Sequence, residues 1–169
     1  MIYFTADTHF GHNNIIKYSK RPFNSVNEMD EMLLKNYNNI IKDEDIVYFI
    51  GDFCLRPSNH ILYYQSLIEK MKGEKHLILG NHDKLKPFIY VEMGFQSVHT
   101  SLEVNINGSK LILNHDPSIH CMFDDKTIIL CGHVHNLFIK QKNVINVGVD
   151  VCDYKPIDIR RILSIFYLD

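Results

Sequence analysis

Proline and glycine are scarce, at 5 and 8 of 169 residues. With 46% apolar and 22% charged residues, that scarcity argues against extended disorder and for a chain that buries a core. No linker, internal repeat or low-complexity segment interrupts the sequence, and its length is about that of one domain. An excess of charge of one sign is also missing, with 18 Lys+Arg against 20 Asp+Glu and a net charge of −2. Proteins that bind long nucleic acid usually carry a basic surface, so this balance lowers the expectation of a nuclease without dismissing a local basic cluster. No apolar run is long enough to cross a bilayer, and the opening MIYFTADTHFGH meets Asp7 before a signal-peptide core can form. The expectation is a soluble, cytoplasmic protein without a membrane partner. The four cysteines, Cys54, Cys121, Cys131 and Cys152, form no C-x-x-C pair and no zinc-finger spacing. They are expected to be reduced and mostly buried.

What is present is an alternation of apolar runs and helical patterns. Residues 2–6 (IYFTA), 46–50 (IVYFI) and 76–79 (HLIL) read as buried strands. A helix is expected over 25–42. Ser25 and Glu28 have capping-box spacing, and Met29, Met32, Leu33, Tyr37, Ile40 and Ile41 recur on one face. A second helix is expected over 59–72, with Gly73 as its C′ residue. The second half changes character. Asn107-Gly108 between 98–106 and 109–114 is a hairpin signal, and 127–131 and 143–149 read as further strands. Pro156 can open a short terminal helix, although RILSIFYL fits a last strand equally well. The expected architecture is α/β, a sandwich of two mixed sheets with helices outside, in four layers.

The polar residues fall in a telling place. Sites in α/β sheets collect beyond the carboxyl ends of strands, and here five expected strands end in potential metal ligands. These are Asp7-Thr8-His9, Gly51-Asp52, Gly80-Asn81-His82-Asp83, Asn114-His115 and Gly132-His133-Val134-His135. Any one of these alone is more often a cap or a solvated loop residue. The ordered set, D-x-H, G-D, G-N-H-D, H and G-H-x-H over residues 7–135, resembles the calcineurin-like metallophosphoesterases. DTHFGH and NVGVDV resemble a compact bacterial or phage branch of that family.

The resemblance implies a four-layer αββα metallophosphoesterase fold in a single domain over 1–169, and two divalent metal ions. It implies that Asp7, His9, Asp52 and His135 hold the first and that Asp52, Asn81, His115 and His133 hold the second. The donor types suit hard or borderline divalent ions. Mn²⁺ is the leading expectation, with Fe²⁺, Zn²⁺, Ni²⁺ and Co²⁺ also accommodated. Two ions about 3.5–4 Å apart can share a hydroxide and clamp the oxygens of an in-line displacement. Two dications less two aspartates and one hydroxide leave a single positive charge, which favours a phosphate. By the same resemblance His82 is no ligand but the catalytic residue beside the leaving oxygen, where it can donate a proton.

Three further residues are candidates for substrate contact or for support of the ligands. His12, three residues after His9, is as readily a structural loop histidine as a substrate contact. Asp83 is placed to orient a neighbour, as carboxylates do for ligand histidines. Arg56 follows Asp52 by four residues, where some relatives carry a phosphate-binding arginine, but Leu55 replaces their orienting aspartate and a surface arginine is the plainer reading. His60, His76, His99 and His120 match no motif and read as structural, and Asn146 and Asp150 read as turn residues. The expected activity is hydrolysis of a phosphomonoester or phosphodiester by a metal-bridging hydroxide. A small molecule or nucleotide is favoured as substrate over DNA or RNA, since 169 residues leave little room beyond a catalytic core. A silent scaffold is disfavoured because every position of the motif set is retained. Small domains of this kind often pair, so a homodimer stays open.

Overall fold

Apolar alternation places the first half of the chain in one sheet. In the computed structural model, which describes residues 1–168, β1 (Ile2–Thr5) is followed by α1 (Asn13–Tyr18) and α2 (Val26–Ile40). Then come β2 (Ile46–Ile50), α3 (Ile61–Glu69), β3 (Glu74–Ile78), α4 (Pro87–Glu92) and β4 (Ser97–His99). The second sheet holds β5 (Leu102–Ile106), β6 (Ser109–Leu113), β7 (Ile128–Cys131), β8 (Lys140–Gln141) and β9 (Val144–Asn146). The chain then returns to the first sheet with β10 (Ile157–Asp158) and ends in α5 (Ile159–Leu168). The strand orders are β10-β1-β2-β3-β4 and β5-β6-β7-β9-β8. Both five-stranded sheets are mixed: β1 to β4 run parallel with β10 antiparallel, and β6, β7 and β9 run parallel between antiparallel edges.

Strand side chains alternate between faces, and this divides the core. Val47, Phe49 and Leu77 turn outward to Met29, Leu33 and Tyr37 of α2, Tyr64 and Ile68 of α3 and Tyr90 of α4. Phe4, Ile50 and Ile78 turn inward to Leu111, Leu113, Ile128, Leu130 and Ile145 of the other sheet. Ile159, Ile162 and Ile165 of α5 join this inter-sheet cluster. The outer layer on the second sheet is thin: Ile119 and Phe123, at a 3₁₀ turn over Pro117–Met122, pack with Phe138 on Ile112, Ile129 and Val144.

Several local expectations shift. The stretch 98–106 divides into an edge strand of the first sheet and the hairpin strand β5, so one apolar run serves two sheets. Asn107 and Gly108, at φ 53° and 80°, make the expected hairpin. The run 143–149 is regular only over Val144–Asn146, after which Gly148 bridges to Ala6 of the first sheet. The helix expected at 59–72 is shorter at both ends, and Gly73 (φ 76°) serves the turn into β3 instead of capping α3. The terminal helix forms, but it starts at Ile159 after the two-residue β10, so Pro156 does not open it. On α2, Met32 is exposed and Met29, Leu33 and Tyr37 carry the buried face. Cys54 and Cys131 are buried free thiols, while Cys121 is exposed.

Candidate metal centre

The carboxyl ends of β1, β2, β3, β6 and β7 converge, and the loops that leave them run side by side. The amides of Asp7, His9 and Phe10 donate to the carbonyls of Gly51, Asp52 and Phe53, continuing the β1–β2 pairing past the strands. The two sheets also join here, through the Ala6–Gly148 bridge and the bond from Val149 N–H to Ala6 C=O. These contacts fix the backbone that carries the polar side chains. The glycines of the motifs fit this crowding. A Cβ on Gly80 would collide with Asp52 Oδ1 and the Asp52 backbone nitrogen, and one on Gly51 would strike the His115 ring.

All seven sequence-expected ligands meet in this place. Asp7, His9, Asp52 and His115 are buried, His135 is half-buried, and Asn81 and His133 form an exposed rim. Asp7, His9 and His135 each offer one ligand atom within 4.8 Å of the others, and so do Asp7, Asp52 and His115. Asp7 belongs to both groups, and Asp52 Oδ2 of the second lies 3.5 Å from His9 Nε2 of the first and 3.4 Å from His115 Nε2. Asn81 Oδ1 is 3.1 Å from His115 Nε2 and 3.0 Å from His133 Nδ1.

Two features show that the donor set fits cations. His9 Nε2 is a fully buried polar atom with no hydrogen-bond partner, a state that costs about 1–3 kcal/mol when nothing occupies the lone pair or proton. Burial above all pushes its imidazole down to about 2, outweighing nearby Asp52, so the ring is neutral and its nitrogen is free to ligate. His115 donates from Nδ1 to the Ile50 carbonyl at 2.9 Å, which turns Nε2 toward two oxygens. Such an arrangement needs a positive charge between the atoms, either a proton or a metal. Accordingly His115 rises to about 9: burial opposes the charge, but the bond to Asp52 and the charges of Asp52 and Asp7 outweigh it. Burial alone would raise Asp52, yet His115, the His82 amide and His9 hold it at about 2. Asp7, fully enclosed, is raised by burial.

The His135 and His9 rings are also set by neighbours. His135 Nδ1 donates to Asp150 Oδ2 at 2.7 Å. Asp150 is itself held by Arg21, through Nε at 2.8 Å and Nη2 at 3.0 Å. Arg21 donates onward to the Asp7 and Thr8 carbonyls at 2.6 and 3.0 Å, so one buried ion pair secures a candidate ligand histidine and the loop of two other candidates. Asn146 adds a bond from Nδ2 to the His135 carbonyl at 2.6 Å. Asp150 and Asn146 therefore do more than turn chemistry, and Arg21 carried no sequence signal at all. His12 Nδ1 sits 3.4 Å from His9 Nδ1, which makes it a supporting neighbour of His9. Asp83 supports backbone instead of a histidine. Its carboxylate accepts from the amides of Asp52 (2.8 Å), Gly80 (2.9 Å) and Phe53 (3.1 Å), clamping the β2 and β3 loops together. Burial, then repulsion from Asp52, raises it to about 7 despite those bonds.

His82 stands at the rim, its ring 5.1 Å from His9 and 5.9 Å from His12 between centroids. Its backbone N–H donates to Asp52 Oδ1 at 2.8 Å. Arg56 is exposed at φ 46° and, among the described residues, its side chain makes no hydrogen bond or ion pair. A cleft of about 500 Å³ opens over His9, His12, His82, His133 and His135.

The calcineurin-like phosphoesterase superfamily domain matches residues 1–153. The chain belongs to that superfamily. An uncharacterized protein of Methanocaldococcus jannaschii is 37% identical over 171 residues, covering 97% of this chain and 90% of the relative. Among solved structures, a protein of unknown function from Aquifex aeolicus superposes with a TM-score of 0.80 at 26% identity, covering 98% of each chain. A structure described as a novel archaeal phosphodiesterase shares the fold at TM-score 0.54 and 16% identity, over 95% and 94% of the two chains. This superfamily is one of metal-dependent phosphoesterases, and the sandwich of two mixed sheets is its fold. No helix among the described residues is long and apolar enough to cross a membrane.

Proposed function

We propose that this chain hydrolyses phosphate esters with two divalent cations, Mn²⁺ being the working metal. Asp7, His9, Asp52 and His135 would hold one ion, and Asp52, Asn81, His115 and His133 the other, with Asp52 shared. The observation that carries the reading is the buried, unpartnered His9 Nε2 set 3.5 Å from Asp52 Oδ2, in a group of donors with Asp7 and His135. Such a pair of ions, when bound, polarises phosphoryl oxygens and supplies a nucleophile at neutral pH by lowering the pKa of water.

The protein's own residues do the rest. Asp150, the Ile50 carbonyl and His12 each occupy one ring nitrogen of a ligand histidine and thereby present the other inward. Asp83 and Arg21 hold the loops so that the donors need not reorganise on binding. The exposed side of the centre, at Asn81 and His133, is where the phosphate enters. His82, outside the ligand ring and beside His9, gives a proton to the departing oxygen. The fold shared with the archaeal phosphodiesterase agrees with a diester as one substrate type.

Protein loaded with Mn²⁺ should bind two ions per chain and cleave nitrophenyl phosphate monoesters or diesters. Asp52→Asn should lower metal stoichiometry and nearly abolish turnover. Inactivity on both ester types with Mn²⁺, Fe²⁺, Zn²⁺, Ni²⁺ and Co²⁺ in turn would defeat the proposal.

A further inference from the structure

The side chains that line the cleft over the candidate metal centre are of two main kinds. One is the histidine rim. The other is formed by Ile15, Tyr18, Val134 and Leu137. Tyr18 and Leu137 are 74% and 78% exposed, unusual for large apolar side chains beside a polar site. Tyr18 ends α1 and meets His12 edge to face at 6.4 Å between centroids. His12 in turn lies 5.9 Å from His82. His12 therefore neighbours both the Tyr18 ring and the residue assigned to the leaving oxygen. Among the described residues no carboxylate lines the cleft.

From these contacts we infer that the cleft takes a phosphate ester carrying a nucleobase, with the base stacked on Tyr18 and covered by Leu137. This deepens the phosphoesterase reading and rests on it. The chemistry favours a base over an alkyl or lipid group. A flat tyrosine open to solvent offers a π-face that any base can stack on. A hydrocarbon chain would need a closed apolar groove, whereas this cleft is lined on one side by histidines. The volume, about 500 Å³, is within the usual range for small-molecule sites. The same chemistry is offered by a free nucleotide diester and by an unpaired base of a single strand.

Calorimetric titration of the Mn²⁺-loaded protein with inorganic phosphate, ribose 5-phosphate and adenosine 5′-monophosphate separates the parts. Wild type should bind the adenosine compound on the order of tenfold tighter than ribose 5-phosphate. Tyr18→Phe should keep that ratio, and Tyr18→Ala should bring it close to one. Equal affinities in wild type, or a ratio that survives Tyr18→Ala, overturns the inference and leaves the phosphoesterase proposal standing if phosphate still binds in a metal-dependent way. Loss of all metal-dependent phosphate binding sinks both. In a cleavage arm with a dinucleotide and a single-stranded oligonucleotide, the KM that rises in Tyr18→Ala tells which source supplies the base.

Discussion

Five of the seven candidate donors share a backbone peculiarity that the sequence motifs only hint at. Asp7, His9, Asp52, His133 and His135 all take left-handed φ, between 49° and 71°. Such conformations cost energy for most side chains, while Asp, Asn and His tolerate them best. The strand ends are thus bent to aim donors inward, with Gly51, Gly80 and Gly132 immediately before Asp52, Asn81 and His133. Gly80→Ala should consequently fold while binding metal far more weakly, because its Cβ displaces Asp52. Equal metal affinity in calorimetry would refute this account. His82→Ala makes a different prediction: kcat falls by roughly 10²–10⁴ while two metals still bind, since the ring belongs to neither donor group. If kcat held and metal binding failed, His82 would have to be reassigned as a ligand. The seven candidate donors, which the structure brings together, were legible in the sequence from their places after apolar runs and from the family resemblance of the motif set. Arg21 and Asp150 were not, because their meaning lies in a contact across 129 positions: nothing local marks Arg21, and the NVGVDV string that holds Asp150 does not show that it orients a histidine.

At the scale of elements, strong periodicity and chemistry made long pieces legible and short ones silent. α2 was visible from its apolar face and from Ser25, whose Oγ accepts from Glu28 N–H at 3.2 Å. The reciprocal arm slips by one residue, Glu28 reaching the Asn24 amide at 2.7 Å. α1 and α4, six residues each, are too short to show a helical period, although Pro87 at the first turn of α4 was a usable signal. β3 and β4 are tied by a chain that motif reading missed. Glu74, His76, Ser97 and His99 are linked at 2.9, 2.7 and 2.8 Å along the sheet. Asp30 of α2 performs a comparable task nearer the centre. It accepts from Gly11 N–H at 2.9 Å and from the Tyr63 hydroxyl of α3 at 2.8 Å. Burial raises it to about 6, although Tyr63, Gly11 and Arg21 each draw it down. In the unfolded chain the same carboxyl titrates near ~4. Between those values the folded state holds a proton that the unfolded chain has released, so stability falls as pH climbs through that window. The contribution is complete below ~4 and lost above ~6. Asp30→Asn removes the slope, and denaturant unfolding from pH 4 to 7 should show the difference between the two proteins changing by on the order of 2 kcal/mol. Parallel profiles would show that Asp30 does not titrate in this range.

Across the whole molecule, the two sheets were foreseeable, but their closure was not. The second sheet is covered outside by a 3₁₀ turn, and α5 places its isoleucines in the inter-sheet core. Neither follows from strand and helix patterns, because both depend on which face is left uncovered once the sheets pack. The same packing makes the centre a junction: donors from five strand ends, three in one sheet and two in the other, hold the open end of the sandwich together. A ligand that binds the folded state alone stabilises it by RT ln(1 + [L]/Kd), about 4 kcal/mol at a thousandfold excess over Kd. For a domain of this size that corresponds to a Tm increase of roughly 10 °C. Mn²⁺ should produce such a rise in thermal unfolding of the wild type, and a chelator should reverse it. Asp52→Asn should lose most of the rise, since Asp52 Oδ2 lies 3.5 Å from His9 Nε2 and 3.4 Å from His115 Nε2 and the substitution removes its charge. Ser25→Ala, which removes only the α2 cap, should lower Tm in the presence and absence of metal by the same amount, about 1 kcal/mol in stability. If Asp52→Asn gained as many degrees from Mn²⁺ as the wild type, the metal would be binding elsewhere, and the junction could not be what couples the ions to the fold.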